Sequence, residues 1–164
     1  MTLTAFTGRY SVHGPNKPLE TPDQARLLTA ADGVISLKGA PFPAPVAVGR
    51  PGFREGKHLW VIFPVVLPAI LETAPDVQPP PLKSGWAKHT NLTGATAACC
   101  GGELWVDAVS PSRLYVNGGS GRYEPRSRAE LADAIQVFEG LGFEVVSAGW
   151  DDENSRPARV FRET

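Results

Sequence analysis

The clearest periodicity lies in the last third of the chain. Leu131, Ala134, Ile135 and Phe138 recur at i, i+3, i+4 and i+7, which puts one apolar stripe on a helix. Ser127 stands just before this stripe and Glu130 three residues later, a capping box that satisfies free backbone donors at a helix start. The spacing therefore predicts a helix ending near Gly140, with its apolar face on a sheet. Two alternating runs come before it, Glu103-Leu104-Trp105-Val106-Asp107 and Arg113-Leu114-Tyr115-Val116-Asn117. With Ser110-Pro111-Ser112 between them they predict an antiparallel hairpin. Residues 143–147 predict a further strand. Residues 157–162 predict the last one, paired with it around Asp151-Asp152-Glu153-Asn154. Leu59-Trp60-Val61-Ile62-Phe63, β-branched and aromatic and bounded by Pro64, predicts a buried strand.

The N-terminal pattern is more broken. Residues 5–12 predict a strand. Thr21 as cap with Pro22 at the first helical position predicts a helix continuing through residues 25–31 and stopped by Gly33. Residues 34–37 and 46–48 predict short strands, and residues 39–45, with three prolines, an extended loop. Residues 65–73 fit a short helix or a second extended piece equally well. Residues 74–81, with four prolines, predict a loop of polyproline character. The sum is an α+β fold, a mostly antiparallel sheet with one well-defined C-terminal amphipathic helix packed on it. It reads as a single domain over residues 1–164, with an irregular part over 1–85 and a motif-bearing part over 86–164.

Composition narrows the function classes. The 164 residues are 42% hydrophobic and 20% charged, enough for a packed core, and the net charge is −1. Without a basic field the chain is a poor candidate for nucleic-acid binding. The longest apolar stretch, residues 59–71, is broken by Pro64 and Pro68 and is too short to span a membrane. The first residues carry no charged and apolar leader pattern, so the expected location is the cytoplasm. Cys99 and Cys100 are adjacent and lack the spacing of a cross-link or a zinc site, so they read as two small buried thiols.

The candidate chemistry lies between residues 86 and 126. Asn117-Gly118-Gly119-Ser120-Gly121-Arg122-Tyr123 follows a strand. Three glycines in four positions allow positive φ, and such a loop can aim successive N–H groups at one anion. Ser120 adds a hydroxyl and Arg122 a planar fork for phosphate. A tight turn that needs glycine only for its geometry fits the same residues. Lys88-His89-Thr90-Asn91 is rich in donors and acceptors beside Trp86, and His89 can act as acid, base or ribose-orienting group, while a surface or structural histidine fits the same residues. Glu103 enters a strand on the face of Trp105 and is the candidate carboxylate, and a solvated glutamate at a strand edge fits the same position. The acidic run Asp151-Asp152-Glu153 reads as a turn rather than a metal site, and no metal ligands are assigned.

His89-Thr90-Asn91-Leu92, Gly102-Glu103-Leu104, and Asn117 with Ser120-Gly121-Arg122-Tyr123-Glu124-Pro125 together resemble a pattern of bacterial toxin- and effector-type modules. That pattern is a His-Ser/Thr-x-Leu element, a Gly-Glu strand start and an Asn-x-Ser-Gly-His/Arg-Tyr-x-Pro loop. It covers about a quarter of the chain and implies that His89, Glu103, Ser120, Arg122 and Tyr123 converge. The expected catalytic residues are therefore His89, Glu103 and Tyr123. The expected ligand-binding residues are Thr90, Asn91, Asn117, Gly118, Gly119, Ser120, Gly121 and Arg122.

The expected partner is a phosphate-bearing small molecule or a protein. The leading expectation is a nucleotide-binding, toxin- or effector-like enzyme using NAD or another nucleotide, with ADP-ribosyl transfer as the named chemistry. A non-catalytic binding module of immunity or adaptor type is the first alternative. A ribonuclease built from Glu103, Arg122 and His89 is the second.

Overall fold

The computed structural model describes residues 1–73, 82 and 85–162. The polyproline stretch expected over residues 74–81 lies outside the described residues.

A six-stranded mixed sheet organises the chain. Its strands are β1 (Ile35–Ser36), β2 (His58–Ile62), β3 (Pro68–Leu71), β4 (Cys100–Val106), β5 (Arg113–Asn117) and β6 (Glu144–Ser147), in the order β1-β3-β2-β4-β5-β6. All neighbouring pairs are antiparallel except β5 with β6. Helix α2 (Arg128–Gly140) connects those two and packs against the sheet. This is the expected α+β arrangement. The pairing of β6 differs from expectation, because a helix between two strands returns the chain to the same edge and forces a parallel crossover. The acidic turn instead closes a separate ribbon of β7 (Trp150–Asp151) and β8 (Arg156–Pro157).

The capped start of α2 forms in part. Ser127 Oγ accepts from Glu130 N at 3.1 Å, but the Glu130 carboxylate turns to Arg126 Nε at 3.2 Å. Residues 5–12 are not a strand. Helix α1 (Leu3–Arg9) forms because Thr2 Oγ1 accepts from Ala5 N at 3.0 Å and because Phe6 reaches the core. Arg9 and Tyr10 fasten α1 to α2 through Asp133, at 2.7 and 2.5 Å. The helix expected after Thr21 shortens to a 3-10 turn, Pro22–Ala25, with a second turn at Ala30–Asp32 that Gly33 ends at φ 103. Residues 65–73 resolve as the extended piece, β3. Of residues 46–48, only Val48 makes a β contact, a bridge to Val106.

The two faces of the sheet carry separate apolar clusters. The back face, with Trp60, Leu104, Val116 and Val145, packs on Phe138 and Val137 of α2 and on Phe6 of α1. Trp60 and Phe138 meet edge to face, ring centres 5.1 Å apart. On the front face Leu59, Val61 and Ile70 are covered by Leu92, Ala98, Tyr123 and Leu28. Among the described residues no α-helix covers this face. A 3-10 turn, His89–Leu92, does so together with loops.

Candidate functional site

The site grows from the front of the β4–β5 ladder. Alternation along β4 sends Leu104 and Val106 to the back and Glu103 and Trp105 to the front. Register places Leu59, Glu103 and Asn117 side by side on three adjacent strands.

Asn117 is fully buried and binds Glu103 twice. Its Nδ2 donates to Glu103 Oε1 at 3.1 Å, and its Oδ1 accepts from Glu103 N at 3.1 Å. The same Oδ1 accepts from Gly119 N at 2.9 Å. Glu103 Oε2 faces Lys57 Nζ at 3.0 Å, and that ammonium also meets Glu72 at 3.8 Å. Burial holds the Glu72 carboxyl above its usual value despite Lys57, and the Glu103 charge adds to this. Two carboxylates thus share one ammonium on a largely desolvated surface, with the side chains of Lys57, Glu72 and Glu103 exposed by only 19%, 15% and 13%.

His89 lies behind this cluster. Its Nε2–H donates to Gly102 O at 2.8 Å, and its Cδ2 sits 3.2 Å from where a Cβ on Gly101 would be. Glycine at position 101 is required first by the paired strand, where Trp60 O lies 2.6 Å from where that Cβ would be, and it also leaves room for the ring. Burial pushes the ring down to about 4, with Gly102 O and the Glu103 charge opposing and Arg122 and Arg159 reinforcing. At neutral pH it is a neutral imidazole with the proton on Nε2 and a lone pair on Nδ1.

Most of the other expected residues have internal partners. Tyr123 is fully buried. Its hydroxyl lies 2.8 Å from Thr93 Oγ1 and donates to Thr96 O at 2.8 Å. Ser120 Oγ accepts from Tyr123 N at 3.0 Å. Asn91 Nδ2 donates to Asp23 O and Arg26 O, each at 2.9 Å. Arg122 is buried and donates to Gln24 Oε1 at 2.7 Å, while its Nε has no hydrogen-bond partner. Thr90 is buried and its Oγ1 is also without one.

The glycine loop is not a nest. Neither Gly118, Gly119 nor Gly121 adopts a positive φ. Glycine is needed there for close approach: a Cβ on Gly118 would lie 2.8 Å from Pro157, and one on Gly119 3.0 Å from both Glu103 Oε1 and Asn117 Oδ1. The acidic run is a turn, as expected. Asp151 accepts from Glu153 N and Asn154 N at 3.0 and 3.2 Å, and Asp152 pairs with Arg128.

The structure thus brings Glu103, Asn117, His89 and Gly119 together, and it adds residues the sequence did not single out. Lys57 and Glu72 come from strand ends far away in the chain, so only sheet register could reveal them. Arg159 arrives on the segment after β8, where its backbone oxygen accepts from Asn117 Nδ2 at 3.3 Å. Arg159 lines a cleft of about 830 Å³ together with Arg128, Arg162, Trp150 and Phe161 and with the acids Asp151, Asp152 and Glu153, while Glu103, His89 and Asn117 do not line it. Gln24, the partner of Arg122, is 98 residues away from it in the chain. Among the described residues no helix is long and apolar enough to cross a membrane. No known protein family, curated protein or solved structure matches the chain.

Proposed function

We propose that the chain is a nucleotide-using enzyme of toxin or effector type, and that it transfers the ADP-ribosyl group of NAD. The observation that carries this reading is the Glu103 carboxylate, fixed between Lys57 Nζ at 3.0 Å and Asn117 Nδ2 at 3.1 Å beside a neutral His89. Breaking the nicotinamide–ribose bond sends its electron pair to the nicotinamide nitrogen and leaves oxocarbenium character on the sugar. A pre-positioned carboxylate in a desolvated site stabilises that charge. The acceptor then forms the new bond to the sugar carbon and gives its proton to Glu103. A neutral imidazole suits the holding of ribose, because Nδ1 accepts from a hydroxyl. Arg159, whose backbone oxygen accepts from Asn117 Nδ2, brings positive charge to this neighbourhood for the pyrophosphate.

The test is nicotinamide release from NAD, paired with thermal shifts against NAD, ATP, ADP-ribose and GTP. NAD at ~100-fold above its Kd stabilises the fold by about 2.7 kcal/mol, a shift of several degrees. Glu103→Gln is expected to keep the shift and lose the release. No shift and no release with any of these nucleotides would end the enzyme reading.

One observation favours the second reading, a non-catalytic binding module. The polar groups of Ser120, Tyr123 and Asn91 are engaged inside the fold. Under that reading Glu103→Gln leaves function intact and the ligand is a protein. The ribonuclease alternative lacks its acid, because burial keeps His89 neutral at physiological pH.

A further inference from the structure

Arg122 is 5% exposed, yet among the described residues it makes no ion pair. Its one side-chain hydrogen bond goes to a neutral amide oxygen, and its Nε is buried without a partner. A guanidinium taken out of water is costly unless an anion and a full set of acceptors compensate it. Neither is present here, so the site lacks a group that carries negative charge and several acceptor lone pairs. A phosphoryl group has both.

The amide in that place belongs to a strap. Residues 13–28 run over the front face, and only Gln24 and Leu28 among them are buried. The strap is held by a few polar bonds. His13 bridges Ala98, Asn16 N donates to Arg122 O at 2.9 Å, and Leu28 N donates to Asn91 O at 2.8 Å. The Asn91 side chain takes Asp23 O and Arg26 O. Gln24 Oε1 accepts from both Arg122 and Glu20 N, which ties the strap to itself and to the guanidinium. Lys17, also on the strap, brings its Nζ to within 3.4 Å of a Cβ placed on Gly121, next to Arg122. Two further buried atoms have no partner, His13 Nε2 on the strap itself and Thr90 Oγ1 next to the Asn91 that holds the strap. A segment that buries only Gln24 and Leu28 opens at lower free-energy cost than the packed core beneath it.

We infer that Arg122 is a phosphoryl-binding site which the strap holds shut through Gln24, and that the ligand's phosphoryl oxygen displaces the Gln24 side-chain carbonyl. The inference rests on the nucleotide reading for the source of the phosphoryl group. It adds that the site is gated, so that apparent affinity is reduced by the fraction of chains in which the strap is open.

The experiment titrates inorganic pyrophosphate into the full chain and into Arg122→Ala, Gln24→Ala and Gln24→Glu, and follows amide exchange at Asn16 and Leu28 in the unsubstituted chain. Gln24→Ala is expected to lower the Kd about tenfold by removing the competing oxygen. Gln24→Glu places a carboxylate on Arg122 and is expected to raise it by about as much. Arg122→Ala abolishes binding. Pyrophosphate speeds exchange at both amides as the strap lifts. Should Gln24→Ala fail to fold, Gln24→Glu and the exchange measurement decide. A Kd that is unmoved by either Gln24 substitution, or exchange that stays slow, overturns the gate. Equal binding by Arg122→Ala and the unsubstituted chain, or no binding by any of the four, overturns the site. Pyrophosphate binding that follows the expected order without nicotinamide release from NAD leaves this inference standing and removes only the transfer chemistry.

Discussion

Asn117 and Glu103 face each other across β4 and β5 and exchange two hydrogen bonds, side chain to carboxylate and backbone N–H to side-chain oxygen, both at 3.1 Å. Glu103 is therefore oriented by its own neighbour in the sheet. The amide also holds the first turn of the glycine loop through Gly119 N and the C-terminal segment through Arg159 O. One buried side chain thereby couples strand, loop and cleft.

Replacing Asn117 tests that coupling. Asn117→Ala leaves Glu103 N and Oε1, Gly119 N and Arg159 O short of a partner, with Gly119 N in a buried setting. The expected loss is about 2 kcal/mol, a fall in Tm of roughly 4–8 °C. Asn117→Asp keeps the shape but sets a second carboxylate against Glu103, and is expected to cost more than alanine. Thermal unfolding of the two variants checks the order. An aspartate variant as stable as the unsubstituted chain would mean that Asn117 does not clamp Glu103.

Acid should unfold this protein through its buried histidines. His58 and His89 are each pushed down to about 4 by burial. In the unfolded chain both titrate near ~6.5. Between those values the unfolded chain binds the protons and the folded chain does not, so stability rises with pH. It is complete above about 6.5 and is lost as pH falls toward about 4. The slope is at most about 1.4 kcal/mol per pH unit for each ring. His89→Gln, whose amide can still donate to Gly102 O, is expected to halve the slope. Denaturant midpoints at several pH values between 4 and 7 measure it, and an unchanged slope would remove His89 from the account.

The parts of the fold that were legible in the sequence are those fixed by near neighbours in the chain. The stripe from Leu131 to Phe138 and the Ser127 cap specify α2 locally, and the hairpin of β4 and β5 follows from two alternating runs with a proline turn. Helix α1 escapes the pattern because seven residues carry too little periodicity, and Phe6 gains its burial only from tertiary contact. The site divides the same way. Glu103, His89 and Asn117 stand in a recognisable polar context. Lys57, Glu72, Arg159 and Gln24 reach the site only through strand register or a strap contact, and nothing in their local sequence marks them. Three glycines in four positions suggest positive φ, whereas Gly118 and Gly119 serve close approach, which depends on Pro157 and Glu103 across space.

The adjacent thiols should be silent in the native state. Cys99 and Cys100 are buried and free. Burial, with the Glu130 charge adding to it, pushes Cys99 up to about 11 and holds Cys100 well above its usual value. Since the thiolate is the reactive form, a disulfide reagent at pH 8 is expected to modify neither within minutes, and both within seconds in denaturant. Fast modification of either in the native protein would place it at an accessible surface.

Two glycines make opposite predictions from the same substitution. Gly8 lies in α1 with open space where a Cβ would go, so Gly8→Ala relieves only the helical cost of glycine. The expected gain is about 0.5–1 kcal/mol, or roughly 1–4 °C in Tm. Gly102 sits in β4, where a Cβ would come to 1.9 Å from Asn117 O and 2.9 Å from the Trp60 ring. The first of these is backbone of the paired strand and cannot swing aside. The second is a ring locked against Phe138 on the back face. Gly102→Ala must therefore push β5 away from β4, which breaks the register that holds Glu103 against Asn117. The expected cost is about 3 kcal/mol or more. Under the proposed NAD reading, any chain that still folds is expected to show no thermal shift with NAD. A Gly102→Ala protein with unchanged Tm would show that the ladder has slack at this point, and the rigid placement of Glu103 would then need another cause.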